Sequence, residues 1–380
     1  MTAGAAEPGF DRALRVERAL RAVRALGERL EGAFPSGCTR GLRYEPAGNQ
    51  EWTPGFWSGI LWLAYRHTGD GWYRAAAEAL LPSFAERLGG GGPAVETHDL
   101  GFLYTLSAVA AWKTTGDAGA RALALRAADL LSRRHLPGAG VFQAWGPLDD
   151  PDRRGLVIID SAMNMPLLFW AAREGERPGL GVLAAGHLRA LARHLVREDG
   201  STGQTCRIDP VTGRAGPVRT HQGRAADSAW ARGQAWALYG FALAHRHTGE
   251  DAFRDVAARV ADYFVARLPR DGVAFWDLSF GEGDAQEKDT SASAIAAAGL
   301  LELGERFPPA DPRRAYTETG ERMLAALSAH QGSPPSADGL LLHAVYDRPR
   351  GLGVGESCLW GDYFYLEALL RTERAAPSFF

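Results

Sequence analysis

The chain repeats one short junction between helical segments. Thr68-Gly69-Asp70, Thr115-Gly116-Asp117 and Thr248-Gly249-Glu250 each separate two runs in which apolar residues recur at helical spacing. Glycine suits the left-handed turn that ends a helix, and an acid is favourable at the start of the next one. Links this short force neighbouring helices to lie antiparallel. The sequence therefore predicts a chain of helical hairpins.

Helical spacing continues over most of the chain, and strand-like alternation is scarce. Tight links alternate with longer loops that carry glycine, proline and aromatic residues. About twelve helices are predicted, at 10–33, 54–68, 71–89, 99–115, 118–136, 160–174, 179–198, 226–248, 251–268, 289–307, 311–330 and 357–374. We interpret them as an all-α (α/α)6 barrel whose long loops share one end. An open solenoid of helical pairs shows the same alternation, but aromatic and small residues concentrate on the helices that follow long loops, which favours closure.

Composition limits what the chain can be. It has 380 residues, 46% hydrophobic residues and a net charge of −3, without an interdomain linker, so we expect one catalytic domain over 1–380. A nucleic-acid partner is not expected, because nothing in the sequence indicates a clustered basic surface. No apolar run is long enough to span a membrane. Three distant cysteines and an N-terminus without an apolar signal core favour the cytoplasm. We expect a monomer or a weak dimer.

Two stretches, 97–102 and 157–164, each place an aspartate just before a largely apolar run. Helix capping explains an isolated aspartate of this kind. The alternative is that Asp99 and Asp160 face each other across a cleft, as acid–base work on a sugar requires. Apolar neighbours should raise the pKa of Asp160. Asn164 lies one turn after Asp160 and could address the same spot.

Other clusters could bind a sugar. Trp52 precedes a helix that starts at Pro54, and Trp145 lies in the loop before Asp160, so either indole could pack on a pyranose ring. Arg232 and Trp236 share a helix face and could grip a carboxylate and stack on the ring. The other candidates are Thr220, His221, Gln222, Ser357 and Trp360. The histidines lack metal-ligand spacing, so no metal is predicted.

Seven motifs in register resemble the unsaturated glucuronyl hydrolases of glycoside hydrolase family 88. They are WTPGFWSGILWLAY (52–65), HDLGF (98–102), IIDSAMN (158–164), THQG (220–223), SAWARGQAW (228–236), LLHAVYDRP (341–349) and ESCLWGDYFYLEALLR (356–371). The resemblance implies an (α/α)6 barrel and a glycoside hydrolase without a cofactor. It also implies a substrate with a C4=C5 double bond on its terminal uronic acid, as polysaccharide lyases leave it.

The same resemblance implies roles for individual residues. Asp160 would protonate C4 and then activate the water that adds at C5, and Asp99 would be the second essential carboxylate. Trp52, Trp145 and Trp236 would pack on the sugar, and Thr220, Gln222, Arg232, Ser357 and Trp360 would hold the uronate or nearby hydroxyls. This chain departs from the family pattern at Gln204, where a histidine is common, and at Glu356, which puts its preference for sulfated disaccharides in question.

Three alternatives stay open at this point. An unsaturated rhamnogalacturonyl hydrolase would share the barrel and the chemistry. A non-catalytic helical-repeat or sugar-binding protein would leave the two apolar-embedded acids unexplained. A sugar epimerase on the same toroid would need paired histidines in the cleft, for which this chain offers few candidates.

Overall fold

The computed structural model describes residues 10–332, 336–371 and 378–380. The α-helices are α1 (Arg12–Leu30), α2 (Pro54–Thr68), α3 (Gly71–Gly90), α4 (Leu100–Tyr104), α5 (Ala110–Thr115), α6 (Ala118–Ser132), α7 (Pro166–Glu174), α8 (Pro178–Leu195), α9 (Ala231–Thr248), α10 (Asp251–Ala266), α11 (Thr290–Glu305), α12 (Ala315–Leu327) and α13 (Leu359–Arg371). Residues 1–9 of the predicted domain and the last three residues of the predicted helix 357–374 lie outside the described part.

The strands are short and form antiparallel pairs between long loops. They are β1 (Phe34–Pro35), β2 (Pro46–Ala47), β3 (His135–Leu136), β4 (Val141–Phe142), β5 (Leu156–Ile158), β6 (Thr205–Arg207), β7 (Ala344–Asp347) and β8 (Leu352–Glu356). The pairs are β1–β2, β3–β4, β5–β6 and β7–β8. Strand β6 thereby ties the loop after α8 to the segment before Asp160, because Ile158 pairs with Thr205.

The helices form a closed ring, as predicted. Helices α2, α4–α5, α7, α9, α11 and α13 are buried nearly all round and contact one another in that order, and α13 returns to α2. The remaining helices lie outside and bury one face each, which is the pattern of a helix that is half solvated. The closing contact between α13 and α2 excludes the open solenoid.

The repeated junctions end and start helices as the sequence indicates. Gly69, Gly116 and Gly249 have φ of 70°, 73° and 73°, and each donates its N–H to a carbonyl of the helix before it. Asp70 and Asp117 then accept a hydrogen bond from the first turn of the next helix. These positive φ values explain why glycine, rather than a residue with a Cβ, occupies the turn.

Three predicted helices differ in detail. The segment 99–115 is helical but contains a π-helical turn, Thr105–Val109. The segment 160–174 is divided, because a 3₁₀ helix (Ile159–Met163) comes first and α7 starts afresh at Pro166, a residue suited to the first turn. Helix α9 starts at Ala231 rather than 226, since Trp230 is still extended. Within the described residues, no helix combines the length and apolarity needed to cross a bilayer.

Candidate active site

The two aspartate stretches pack on each other at the loop end of the ring. A Cβ added to Gly101 would lie 2.4 Å from the Cα atom of Asn164, so the two backbones are in direct contact. The Asn164 side chain joins them further, because its Oδ1 accepts from the N–H of Phe102 at 2.7 Å. Asn164 therefore fastens the Asp99 helix to the Asp160 segment. This differs from the expectation that it addresses the same spot as Asp160.

Asp99 is surrounded by hydrogen-bonding groups. Its Oδ2 accepts from the Thr97 hydroxyl at 2.7 Å, and its Oδ1 lies 3.4 Å from Nε2 of His98. The amide of Asn164 lies 3.0 Å from Nδ1 of His98. Since Asn164 uses its oxygen on Phe102, it donates to His98, and the ring proton is then on Nε2, facing Asp99. The carboxylate of Asp99 makes no capping bond to its helix.

Asp160 lies in the 3₁₀ helix and has a contrasting environment. Burial raises its pKa to about 7; Arg232 offsets part of that effect, and the nearby charge of Asp99 adds to it. Its Oδ1 is buried and has no hydrogen-bond partner among the described residues. Capping therefore explains neither aspartate. A carboxylic acid with a pKa near neutrality can hold a proton and give it to a substrate.

Arg232 carries the positive charge that Asp160 senses. It is 1% exposed, and its Nη1 and Nη2 donate to the carbonyls of Val345 at 2.5 Å and Tyr346 at 2.7 Å. Oδ2 of Asp289 lies 3.7 Å from Nη1. The two-pronged grip predicted for a uronate is thus occupied by main-chain carbonyls in this structure. Asp289 also caps α11 by accepting from the N–H of Ser291 at 3.0 Å.

The predicted aromatic residues divide into two groups. Trp52 and Trp145 are half-buried. Trp52 stacks on Trp360 with centroids 4.8 Å apart and donates from Nε1 to the hydroxyl of Tyr346 at 3.1 Å. Trp236 and Trp360 are fully buried. In this structure, therefore, Trp236 has no open ring face on which a sugar could pack, contrary to the prediction from the sequence.

The loop 220–223 is held by Gln204, a residue that the sequence offered only as a departure from a family pattern. Its Oε1 accepts from Thr220 Oγ1 at 2.8 Å, from the N–H of His221 at 2.6 Å and from the N–H of Gln222 at 3.1 Å. Its Nε2 donates to the side chain of Gln222 at 2.8 Å. Gln204 is buried and shapes the loop, whereas the His221 side chain is exposed.

The last predicted residues lie where α13 begins. Ser357 is fully buried, and its Oγ makes no hydrogen bond to any described residue. Glu356 accepts from the Thr39 hydroxyl at 2.5 Å and from the N–H groups of Gly41 and Leu42 at 2.8 and 3.0 Å. Burial works to raise the pKa of Glu356, but these donors outweigh it and lower the pKa. Glu356 therefore stays charged near neutral pH.

Sequence reasoning missed several partners of these residues. Thr97 and His98 belong to the stretch 97–102, but nothing in their spacing shows which nitrogen of His98 faces Asp99. Tyr346 connects Trp52 with Arg232, from a position more than a hundred residues beyond the latter. Across residues 10–332, 336–371 and 378–380, no three histidine, cysteine, aspartate or glutamate side chains are placed to hold a metal ion.

Comparisons with known proteins identify the family of this chain. The model of Glycosyl Hydrolase Family 88 matches residues 27–365. An unsaturated chondroitin disaccharide hydrolase of Streptococcus pyogenes is 41% identical over 360 residues, or 94% of this chain and 90% of that protein. The crystal structure of an unsaturated glucuronyl hydrolase from Bacillus sp. GL1, responsible for glycosaminoglycan degradation, superposes with a TM-score of 0.93 at 40% identity, over 96% of this chain and 97% of that one.

A third comparison has a ligand. A Streptococcus agalactiae unsaturated glucuronyl hydrolase, in a mutant form complexed with dGlcA-GalNAc6S, superposes with a TM-score of 0.86 at 34% identity, over 97% of this chain and 93% of that one. The family match, the sequence identity and the shared fold extend over almost the whole chain. They exclude the alternative that the chain is a non-catalytic scaffold. The chain is a glycoside hydrolase and belongs to glycosyl hydrolase family 88, the family of the unsaturated glucuronyl hydrolases.

Proposed function

We propose that this enzyme removes the terminal Δ4,5-unsaturated uronyl residue from lyase-generated disaccharides by hydrating the C4=C5 double bond. One observation carries the proposal: Asp160 is a half-buried acid with a pKa of about 7 and a buried Oδ1 atom that no described residue binds. A proton donor of this kind suits an alkene carbon, which is a weak base and needs a donor that is still protonated near neutral pH.

The reaction needs one proton and one water. Asp160 would protonate C4, which leaves positive charge shared between C5 and the ring oxygen. Water would then add at C5 and return a proton to Asp160. The net change is the addition of water, and it leaves a hemiketal at C5. Opening of that hemiketal releases the uronyl residue from its neighbour, so no bond from the enzyme to the sugar is required.

Asp99 would stabilise this positive charge. Its carboxylate is fixed by the Thr97 hydroxyl and faces Nε2 of His98, so it is held in one orientation. Asp99 raises the pKa of Asp160, which places its charge within electrostatic reach of the proton donor. We therefore assign Asp99 an electrostatic and orienting role rather than that of a nucleophile.

The remaining candidates would bind the sugar in two layers. Trp52 and Trp145 keep part of their surface open and would contact the rings, and the loop with Thr220, His221 and Gln222 would contact hydroxyls. Arg232 would attract the uronate through its charge. The buried residues would support these contacts from beneath, namely Asn164, Trp236, Ser357 and Trp360.

The first test is a panel of unsaturated disaccharides. Addition of the enzyme to unsaturated chondroitin disaccharides is expected to remove the ultraviolet absorbance of the conjugated C4=C5 bond. Turnover of unsaturated rhamnogalacturonyl substrates alone would support the rhamnogalacturonyl alternative instead. Absence of turnover with every unsaturated uronide would contradict the proposed reaction.

Among chondroitin disaccharides, we propose a preference for unsulfated ones. Glu356 keeps its charge because three donors stabilise it, and a negative charge at the start of α13 would repel a sulfate group. Glu356→Gln should therefore raise kcat/KM for sulfated disaccharides relative to unsulfated ones. Equal kcat/KM for the two substrates in the unmutated enzyme would remove any such role.

A further inference from the structure

His187 lies on the outer helix α8, yet its side chain reaches the segment that carries Asp160. It is fully buried. Its Nδ1 lies 3.1 Å from the main-chain N of Phe142, and its Nε2 lies 2.7 Å from Oγ of Ser161. Ser161 directly follows Asp160 in the chain. An outer helix and strand β4 are thereby connected to the catalytic turn through one imidazole ring.

The direction of each hydrogen bond follows from its partners. The N–H of Phe142 can only donate, so Nδ1 of His187 accepts and the single ring proton is on Nε2. Oγ of Ser161 donates to the carbonyl of Ile158 at 2.6 Å. Nε2–H of His187 must therefore donate to Oγ of Ser161. In this series of three hydrogen bonds, from the N–H of Phe142 through His187 and Ser161 to the carbonyl of Ile158, every donor has an acceptor.

This arrangement excludes a serine nucleophile. Ser161 and His187 lie at the distance of a nucleophile and its base, but the nitrogen facing Oγ already carries a proton and cannot accept another. Burial, together with neighbouring histidines, lowers the pKa of His187 to about 3. The ring therefore stays neutral over the pH range in which Asp160 titrates.

Other contacts also hold the Asp160 turn, since Asn164 joins it to the Asp99 helix and Ile158 pairs with Thr205. Its backbone is held by the N–H of Ile159, which donates to the carbonyl of Gln204 at 2.9 Å. Oδ1 of Asp160 has no hydrogen-bond partner in the described chain, so this oxygen does not fix the orientation of the carboxyl group. The position of the proton donor therefore depends on how firmly its backbone turn is anchored.

We propose that His187 is a positioning residue, which acts through Ser161 to fix the 3₁₀ turn and aim the carboxyl group of Asp160 at the substrate. This inference rests on the proposed role of Asp160 as the proton donor. Because a displacement of about 1 Å can cost about 100-fold in rate, loss of the anchor should lower kcat. Substrate affinity should change little, because no sugar-binding candidate makes a hydrogen bond to the side chain of His187 or Ser161 in the described structure.

The test compares two amides in place of the imidazole. In His187→Gln the amide nitrogen can occupy the place of Nε2 and donate to Ser161, whereas in His187→Asn the shorter side chain can accept only from Phe142. We expect His187→Gln to keep kcat within about threefold, and His187→Asn, His187→Ala and Ser161→Ala to lose about 10- to 100-fold, each with KM within about twofold. The double variant His187→Ala/Ser161→Ala should lose no more than His187→Ala alone.

Controls separate positioning from general destabilisation. Leu324→Ala opens a cavity in the fully buried face of α12 and should lower Tm without changing kcat below the transition. Equal kcat in the Gln and Asn variants, losses that multiply in the double variant, or wild-type kcat in Ser161→Ala would overturn the inference. Asp160→Asn is measured in parallel, since high activity in that variant would reject the proposed function itself. If His187→Ala does not fold, the Ser161→Ala and His187→Gln variants still decide.

Discussion

Two acids at opposite ends of the ring behave in opposite ways. At the loop end, burial raises the pKa of Asp160 to about 7, and the charge of Arg232 offsets part of this rise. Near the C-terminal end of α11, Glu302 lies 3.0 Å from Arg246 and 3.3 Å from Arg306, and it is also bonded to Arg371.

Burial works to raise the pKa of Glu302 as well, but the three arginines outweigh it and the pKa is lowered. Burial alone therefore does not make an acid a proton donor. The number and reach of its cationic partners decide.

Asp362 sharpens this comparison within the loop end. Burial raises its pKa to about 7, as it does for Asp160. The Oδ1 of Asp362, however, accepts from the N–H of Leu341 at 2.9 Å, and its Oδ2 accepts from the Tyr44 hydroxyl at 2.9 Å. A raised pKa thus occurs in a structural acid too. What distinguishes Asp160 from Asp362 is a carboxylate oxygen to which no described group donates a hydrogen bond.

The largest expected effect is that of Asp160→Asn, which cannot give a proton to C4. Its kcat on an unsaturated chondroitin disaccharide should fall by about 10³-fold or more, at the upper part of the range for a general acid. Asp362→Asn is the matched control: it should lower Tm and keep most of its kcat. Similar losses in the two variants would show that burial, rather than an unbound oxygen, marks the catalytic acid.

Asp99→Asn is expected to have the next largest effect. Loss of the negative charge should lower kcat by about 100-fold, because positive charge at C5 is no longer stabilised. It should also lower the pKa of Asp160, since the charge of Asp99 raises that pKa. The rate falls as Asp160 loses its proton, so this fall should occur at lower pH in the variant. An unshifted pH profile of kcat would contradict the electrostatic coupling.

Arg232→Gln should act on the same pKa in the other direction. Removal of this cation should raise the pKa of Asp160 and move the alkaline fall of kcat to higher pH. The uronate would also lose its attraction, so KM should rise by about 10- to 100-fold, as expected for a lost charged contact. A KM within twofold of wild type would assign Arg232 to fixing Val345 and Tyr346 only.

Local sequence signals were sufficient for the ring. Helical spacing and the Thr-Gly-acid junctions predicted the hairpins, and the placement of small and aromatic residues predicted closure. The same signals could not show that α4 and α5 are joined by a π-helical turn. Such turns are rare insertions of a single turn within an α-helix, so the helical spacing on either side does not indicate them.

The pairing of buried polar groups could not be predicted from spacing. Arg232 and Asp289 are 57 positions apart, and Arg246 and Glu302 are 56 apart. Nothing local indicates which arginine reaches which acid. The sulfur atoms of Cys38 and Cys358 lie 2.9 Å apart, although the sequence places these residues near opposite ends of the chain. Such contacts follow from ring closure, so they become visible only after the fold is known.

The smallest effect on activity is expected at the far end of α11. Glu302→Gln leaves three arginines without their carboxylate, so the free energy of unfolding should fall by about 3–5 kcal/mol. The catalytic groups are untouched, so kcat should be unchanged below the unfolding transition. A loss of kcat comparable to that of Asp99→Asn would show that the two ends of the ring are coupled.

The contribution of Glu302 to the free energy of unfolding should depend on pH with a sign opposite to that of Asp160. The folded-state pKa of Glu302 lies below its unfolded value of 4.5, so its stabilisation is present above that pH and disappears as pH falls. The folded-state pKa of Asp160 lies above its unfolded value of 3.8, so its stabilisation is present at low pH and disappears as pH rises through about 7. Denaturant unfolding across this pH range measures both effects. The free energy of unfolding of Glu302→Gln should approach that of wild type in acid, and that of Asp160→Asn should rise relative to wild type in base. Parallel curves of unfolding free energy against pH would mean that both acids are equally well paired.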